Sequence, residues 1–129
     1  MASINRFEDI EAWKKARELA RAVYRLSSSG PLARDFGLRD QMRRAAVSVM
    51  SNIAEGFGRS GDKEFSQFLS IAKGSVAEVK AQFYVALDTG YLNQLAFDQL
   101  YVLANETERL LAGFMMYLQK STFKGRKYK

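Results

Sequence analysis

The most informative stretch of the sequence runs from Gln41 to Arg59, where polar and apolar positions follow a helical period. At about 100° per residue, the polar side chains of this stretch fall within a stripe of about 60°. They are Gln41, Arg44, Ser48, Asn52, Glu55 and Arg59. The apolar residues from Leu38 to Phe57 cover roughly 200°, twice the ~100° face of an ordinary surface helix. The pattern predicts a helix buried on two sides, and in a small protein we expect the second side to face another subunit.

The same periodicity, read along the whole chain, predicts four helices and no β-strand. The helices are expected over about 8–27, 38–57, 62–89 and 94–119. In the first of them, Trp13 and Tyr24 fall on the apolar side. Helices of this length with short links predict an all-α, antiparallel up-down four-helix bundle in residues 1–119. Residues 120–129 have no periodicity and are expected to form a mobile tail.

Glycine and capping residues mark the expected helix ends. Gly90 is expected just after the third helix, and Asp62 and Asn93 are expected to cap the third and fourth helices. Gly74 lies inside the third helix, opposite its apolar stripe, at a cost of about 1 kcal/mol relative to Ala. We therefore expect a close second contact at Gly74.

Composition excludes several kinds of chemistry. The 129-residue chain has no Cys and no His, which removes disulfides, thiolate nucleophiles, the commonest general base and the commonest metal ligands. We therefore expect no enzyme activity, no metal and no cofactor. No apolar run approaches the ~18 residues of a membrane span, and residues 1–13 lack the apolar core of a signal peptide. These features favour a cytoplasmic protein.

The net charge of +6 is distributed unevenly along the chain. Residues 1–44 carry +4 and residues 120–129 carry +5, whereas residues 62–119 carry −3. Such an arrangement favours a face that binds a polyanion, with nucleic acid the first candidate. The alternative is that the positive charge serves only solubility.

Two groups of cations are the candidates for contact with phosphates. The first is a stripe on one side of the first helix, spanning about 16 Å, and the second is the tail. These residues are Lys14, Arg17, Arg21 and Arg25, with Lys120, Lys124, Arg126, Lys127 and Lys129. The alternative for the stripe is a solvated face, with Glu18 nearby and Glu11 paired to Lys15 four residues on.

Arg39 and Arg43 fall inside the apolar arc of the second helix. A guanidinium there needs a partner, so we expect both to meet carboxylates or to reach a subunit junction. The candidate carboxylates are Glu78, Glu106 and Glu108.

The polar stripe of the second helix is open to two interpretations. Its residues could bind a ligand, or they could form a polar seam that fixes helix register or subunit geometry. In either case Glu55 and Arg59 are spaced to pair, and Ser48 and Asn52 can bond a neighbouring helix.

The segment from Gln41 to Arg59 also carries a resemblance to a known family. Its matching residues are Gln41, Arg43, Arg44, Ala45, Ser48, Asn52, Ile53, Ala54, Glu55, Gly56, Gly58 and Arg59, with Phe7, Trp13 and Gly90-Tyr91-Leu92 outside it. In these positions the chain resembles the four-helix-bundle proteins related to 23S rRNA intervening-sequence proteins, with Met50 where many relatives have proline. The resemblance implies a homopentamer. It also implies a fold similar to the basic accessory proteins of diversity-generating retroelements, which bind nucleic acid and a reverse transcriptase.

The sequence therefore predicts a non-enzymatic, oligomeric helical-bundle protein associated with RNA or DNA through its basic surfaces. The alternative is a protein-interaction scaffold whose positive surface meets an acidic protein partner. No membrane association is expected.

Overall fold

The structure is a computed structural model that describes residues 4–59 and 61–120. These residues form five α-helices, one 3-10 turn and no β-strand. The elements are the 3-10 turn Phe7–Asp9, α1 (Glu11–Leu26), α2 (Gly30–Arg34), α3 (Phe36–Phe57), α4 (Asp62–Asp88) and α5 (Gln94–Lys120). Lys120 is the last residue of α5, and the other tail candidates, Lys124, Arg126, Lys127 and Lys129, lie outside the described residues.

The start of the first helix differs from the expectation of residue 8. Phe7–Asp9 form a separate 3-10 turn, and Ile10 then takes an extended conformation with φ −76° and ψ 123° before α1. Ile10 is only 2% exposed, and the Phe7 ring packs edge-on against Trp13 at 5.1 Å. Burial of these apolar side chains holds the chain in a turn where the periodicity alone suggested helix.

The link between α1 and α3 contains the short helix α2, which the sequence analysis did not predict. Gly30 has a positive φ of 72°, and Pro31 follows it in the first turn of α2, a position that suits proline. Leu32 is 2% exposed. The segment therefore ends α1 as expected but continues as one further helical turn that contributes an apolar side chain to the core.

The long helices pack into a helical bundle in which α3 contacts both α1 and α4, and α5 contacts the same two helices. The apolar arc of α3 faces these neighbours, and Met42, Ala46, Val49 and Ile53 are fully buried. Helices of the same chain therefore cover both sides of α3, so the width of the arc does not by itself require a second subunit. Val47, at 37% exposure, is the large apolar side chain of α3's arc that stays open.

Capping at the α4–α5 turn follows the sequence expectation. Gly90 has φ 82°, and the N–H groups of Tyr91 and Leu92 donate to the Ala86 carbonyl at 2.8 and 3.1 Å. Asn93 Oδ1 accepts from the Ala96 N–H at 2.8 Å, which confirms Asn93 as a cap. The expected cap at Asp62 is wrong, since the N-cap of α4 is Gly61 and Asp62 is the first helical residue.

Asp35 links the start of α3 to the turn that precedes α5. Its Oδ1 accepts from the Leu38 N–H at 3.2 Å and so caps α3, while its Oδ2 accepts from the Tyr91 hydroxyl at 2.9 Å. The hydrogen bond to Asp35 raises the pKa of Tyr91, because the carboxylate favours the protonated hydroxyl. This contact fixes the α4–α5 turn against the start of α3.

Gly56 permits a close approach between α3 and α4. A Cβ at Gly56 would lie 2.7 Å from Phe65 Cδ1 and 2.8 Å from Phe68 Cβ, both too short for carbon atoms. At Gly58, two residues on, a Cβ would meet only the Glu55 and Ala54 carbonyl oxygens, at 3.5 and 3.8 Å. The two glycines therefore form a matched pair for measuring the cost of overpacking.

We expect Gly56→Ala to lower the free energy of unfolding by about 1–3 kcal/mol, because the buried methyl group forces α3 and α4 apart. Gly58→Ala is expected to change it by less than about 0.5 kcal/mol. Urea denaturation followed by circular dichroism measures both. Equal stability of the two variants would contradict the close approach at Gly56.

Candidate nucleic-acid interface

The four cations of the basic stripe all lie exposed on α1. Lys14 Nζ is 3.1 Å from Glu11 Oε2, and the Arg17 guanidinium lies 5.9 Å from the centre of the Trp13 ring. Within the described residues, neither Arg21 nor Arg25 pairs with a carboxylate. Arg17 has no carboxylate partner there either, so three of the four cations are uncompensated positive charge.

The expected pairing of Glu11 with Lys15 is wrong. Lys15 Nζ instead lies 3.5 Å from Glu18 and 3.5 Å from Glu106 of α5. The i,i+4 spacing allowed the first pair, but Lys15 lies at the α1–α5 contact, where a carboxylate from the neighbouring helix is closer. Glu11 consequently pairs with Lys14.

Three of the stripe residues line one open cleft of about 410 Å³ with Arg6 and Trp13. They are Lys14, Arg17 and Arg21. Glu8 and Glu18 also line this cleft, so cations outnumber acids four to two. Arg25 lies apart from it, in a groove between α1 and α5. The structure therefore places three of the four predicted cations in a single concave, positive surface.

Arg43 does not meet the carboxylates expected for it. Its Nε donates to Ser27 Oγ at 2.7 Å and its Nη2 to the Ser27 carbonyl at 3.1 Å, at the end of α1. Its guanidinium also lies 4.5 Å from the centre of the Tyr24 ring. Positive charge suits the C-terminal end of a helix, where carbonyl groups lack intrahelical partners. Arg43 therefore caps α1 from α3.

Arg39 likewise finds its partners locally. Its Nε donates to Asp40 Oδ1 at 2.9 Å, its Nη1 donates to the Ala33 carbonyl at 3.1 Å, and its guanidinium lies 4.8 Å from the Phe36 ring. The carboxylates expected for the two arginines contact other residues. Glu106 pairs with Lys15, Glu108 pairs with Lys80, and Glu78 accepts from Gln82.

The polar stripe of α3 forms a seam against α4. Ser48 Oγ and Ser75 Oγ are hydrogen-bonded at 2.9 Å, and Asn52 Nδ2 donates to the Ser48 carbonyl at 2.8 Å and to Ser48 Oγ at 3.0 Å. Arg59 pairs with Glu55 at 2.8 Å, as the i,i+4 spacing predicted. Ser48, Asn52, Glu55 and Arg59 thus hold one another or α4, which agrees with the structural interpretation of the stripe.

Arg44 takes no part in that seam. It is exposed, and no ion pair involves it within the described residues. Arg44 lines an open cleft of about 460 Å³ whose other residues include Tyr24, Asp40, Arg43 and Ser51. Tyr24 is 43% exposed, although the sequence pattern placed it on the apolar side. In the sequence, Tyr24 lies one helical turn after Arg21, and this spacing could have predicted that Tyr24 borders the basic stripe.

Two other features are absent from the part of the chain that the structure describes. No three acidic side chains there are arranged to hold a metal ion. No helix there is long and apolar enough to cross a membrane.

We expect Arg43→Lys to lower the free energy of unfolding by about 1–3 kcal/mol, because an ammonium cannot reach both Ser27 acceptors and stack on Tyr24. Arg44→Lys is the adjacent control and is expected to change stability by less than about 0.5 kcal/mol. Thermal and urea unfolding measure both variants. A neutral Arg43→Lys would show that charge alone, not the bidentate contact, caps α1.

Comparison with known proteins places the chain in a family. The model of the 23S rRNA-intervening sequence protein family matches residues 8–113. Among solved structures, the chain is similar to a protein of unknown function from the S23 ribosomal protein family of Bacteroides thetaiotaomicron VPI-5482. That similarity has a TM-score of 0.73 and 20% identity, and it covers 81% of this chain and 97% of the other. No curated protein gives a significant match. On the family match, this chain belongs to the 23S rRNA-intervening sequence protein family.

Proposed function

We propose that this chain is a non-enzymatic, cytoplasmic accessory protein that binds RNA or DNA through its basic surfaces. The observation that carries the proposal is the cleft on α1, where Lys14, Arg17 and Arg21 lie exposed side by side with Arg6. Nucleic-acid backbones are recognised by rows of exposed cations, each of which displaces counterions from the phosphates. The family name, which refers to an rRNA intervening sequence, is consistent with a nucleic-acid partner.

The disposition of the acidic residues supports the same proposal. On α5, Glu106 and Glu108 are taken up by Lys15 and Lys80 at helix contacts. Burial lowers the pKa of Lys80, but its hydrogen bond and charge contact with Glu108 outweigh this and raise the pKa overall. These two acids are therefore paired within the bundle, while Arg21 and Arg25 remain unpaired on its surface. An approaching polyanion meets the unpaired cations first.

We also propose that the four long helices run antiparallel, up and down. In support, Gly56 near the end of α3 approaches Phe65 near the start of α4, while Ser48, earlier in α3, pairs with Ser75, later in α4. The contact positions therefore move in opposite directions along the two helices. Between α4 and α5, Phe65 lies 5.4 Å from Phe114 near the end of α5, and Lys80 meets Glu108 closer to its middle.

The third part of the proposal is assembly into a closed homo-oligomer, a pentamer by resemblance to the family. Large apolar side chains left open on α4 and α5 support it, since exposed apolar surface favours association. They include Leu95 at 68%, Val102 at 56%, Met116 at 55% and Ile71 at 53% exposure. Gly74 also lies on the outside of α4, and a Cβ there would meet no described atom within 4 Å. The second contact expected at Gly74 is thus left to another subunit.

The nucleic-acid proposal predicts a steep salt dependence of binding. Fluorescence anisotropy of labelled RNA and DNA, with nuclease-treated protein, should give a log–log slope against salt of several units. The double variant Arg17→Gln with Arg21→Gln should flatten that slope by roughly 0.7 to 0.9 per cation removed. Lys63→Gln, an exposed cation on α4, is the control and should leave the slope unchanged.

A chain lacking residues 120–129 separates the stripe from the tail in the same assay. If the deletion flattens the salt slope and the double variant Arg17→Gln with Arg21→Gln does not, the phosphate-binding site is the tail and not α1. If neither RNA nor DNA binds at low salt, the nucleic-acid proposal is wrong. The positive surface would then belong to a scaffold that meets an acidic protein.

The assembly proposal predicts a particle much heavier than one chain. Light scattering coupled to size-exclusion chromatography should give a single mass that is a multiple of 14.6 kDa and constant on dilution. A monodisperse monomer of 14.6 kDa would overturn the proposal.

A further inference from the structure

Tyr24 is an exposed aromatic ring at the end of the basic stripe. Its side chain is 43% exposed and lies one helical turn beyond Arg21 on α1. The Arg43 guanidinium, 4.5 Å from the ring centre, is itself fixed by hydrogen bonds to Ser27 at 2.7 and 3.1 Å. One contact of the Tyr24 ring is therefore with an anchored guanidinium. Ordering the ring when a ligand binds consequently costs little conformational entropy.

The cleft beside Tyr24 carries positive charge that the bundle does not use. Arg44 lines it and is exposed without an ion pair among the described residues. Asp40, which also lines the cleft, is already engaged by Arg39 Nε at 2.9 Å. Ser51 adds an exposed hydroxyl. The cleft thus offers an aromatic face, a free guanidinium and a hydroxyl within one open volume of about 460 Å³.

This cleft continues the basic stripe along α1. At about 100° per residue, Trp13, Arg17, Arg21 and Tyr24 fall within roughly 80° of one another, and the helical rise places Tyr24 about 16 Å from Trp13. Trp13 at the other end also carries a stacked arginine, since the Arg17 guanidinium lies 5.9 Å from its ring. Two arginines therefore lie between two aromatic rings along one edge of the bundle.

A row of cations flanked by aromatic rings distinguishes between nucleic-acid ligands. A duplex presents phosphates, but its base faces are stacked on one another and cannot stack on exposed aromatic rings. A single strand offers both, and proteins that bind it combine a cationic track with aromatic rings on which bases stack. We infer that the stripe and the Tyr24–Arg44 cleft together bind single-stranded nucleic acid, with a base stacked on Tyr24 and a phosphate held by Arg44. This inference rests on the proposed function and specifies its ligand.

The test compares labelled single strands of about 12 nucleotides, oligo(U) and oligo(dT), with a duplex of equal length, using the full nuclease-treated chain. We expect the single strands to bind at least about tenfold more tightly than the duplex. Tyr24→Ala and Tyr24→Leu should weaken single-strand binding by roughly 5- to 100-fold, and Tyr24→Phe should retain it. Arg44→Gln should flatten the single-strand salt slope by about 0.7.

Tyr84→Ala is the matched control, since Tyr84 is 48% exposed on α4 and packs on Phe97 and Tyr101. Its single-strand affinity should equal that of the unmodified protein. Circular dichroism checks that each variant is folded. Trp13 is the single tryptophan of the chain, so its fluorescence reports binding at the other end of the stripe independently of the label.

The outcomes separate this inference from the proposed function. If single strand and duplex bind equally, or folded Tyr24→Ala and Tyr24→Leu bind as tightly as the unmodified protein, the single-strand inference is overturned and phosphate binding stands. If no nucleic acid binds at low salt, both are overturned.

Discussion

The close approach of α3 to α4 at Gly56 is the constraint on which the rest of the bundle depends. With no Cβ at Gly56, the Phe65 ring reaches the α3 backbone, and that ring is fully buried. Close packing of the two helices leaves Ser75 only 8% exposed, so its hydroxyl needs a protein partner. Ser48 and Ser75 satisfy each other at 2.9 Å, two turns away from Gly56. The polar seam is thus a consequence of the packing distance, and it fixes the register of the two helices.

Much of this arrangement could be predicted from the sequence because it depends on position along one helix. The period of the polar stripe predicted the Glu55–Arg59 pair. The preference of Gly and Asn for helix ends predicted Gly90 and Asn93 at the α4–α5 turn. The 3-10 turn and α2 were not predictable in this way. They follow from burial of Ile10 and Leu32 against helices that are distant in sequence, which a local pattern does not contain.

Partners across helices were the least predictable part of the candidate site. The angular position of Arg43 on α3 correctly placed it near an apolar surface. That position does not show which neighbouring element lies there. The structure brings the end of α1, with its unsatisfied carbonyl groups, to Arg43. Tyr24 was misjudged for the same reason, since its apolar ring packs on that arginine and not in the core. Arg43 therefore both caps the end of α1 and packs against the Tyr24 ring, which remains 43% exposed.

The arginines of α3 divide into Arg39 and Arg43, which bond to the bundle, and Arg44, which is exposed, and this division shapes the positive surface. Arg43 is used by the bundle to close α1, whereas its neighbour Arg44 points to the open cleft and is left unpaired. Lys15 shows the same division on α1, because it joins Glu106 at a helix contact while Arg21 stays exposed. Lys15 thus neutralises an acid, and Arg43 satisfies a helix end. The excess charge consequently gathers on the outer edge of α1 and α3, where cations outnumber acids in both clefts.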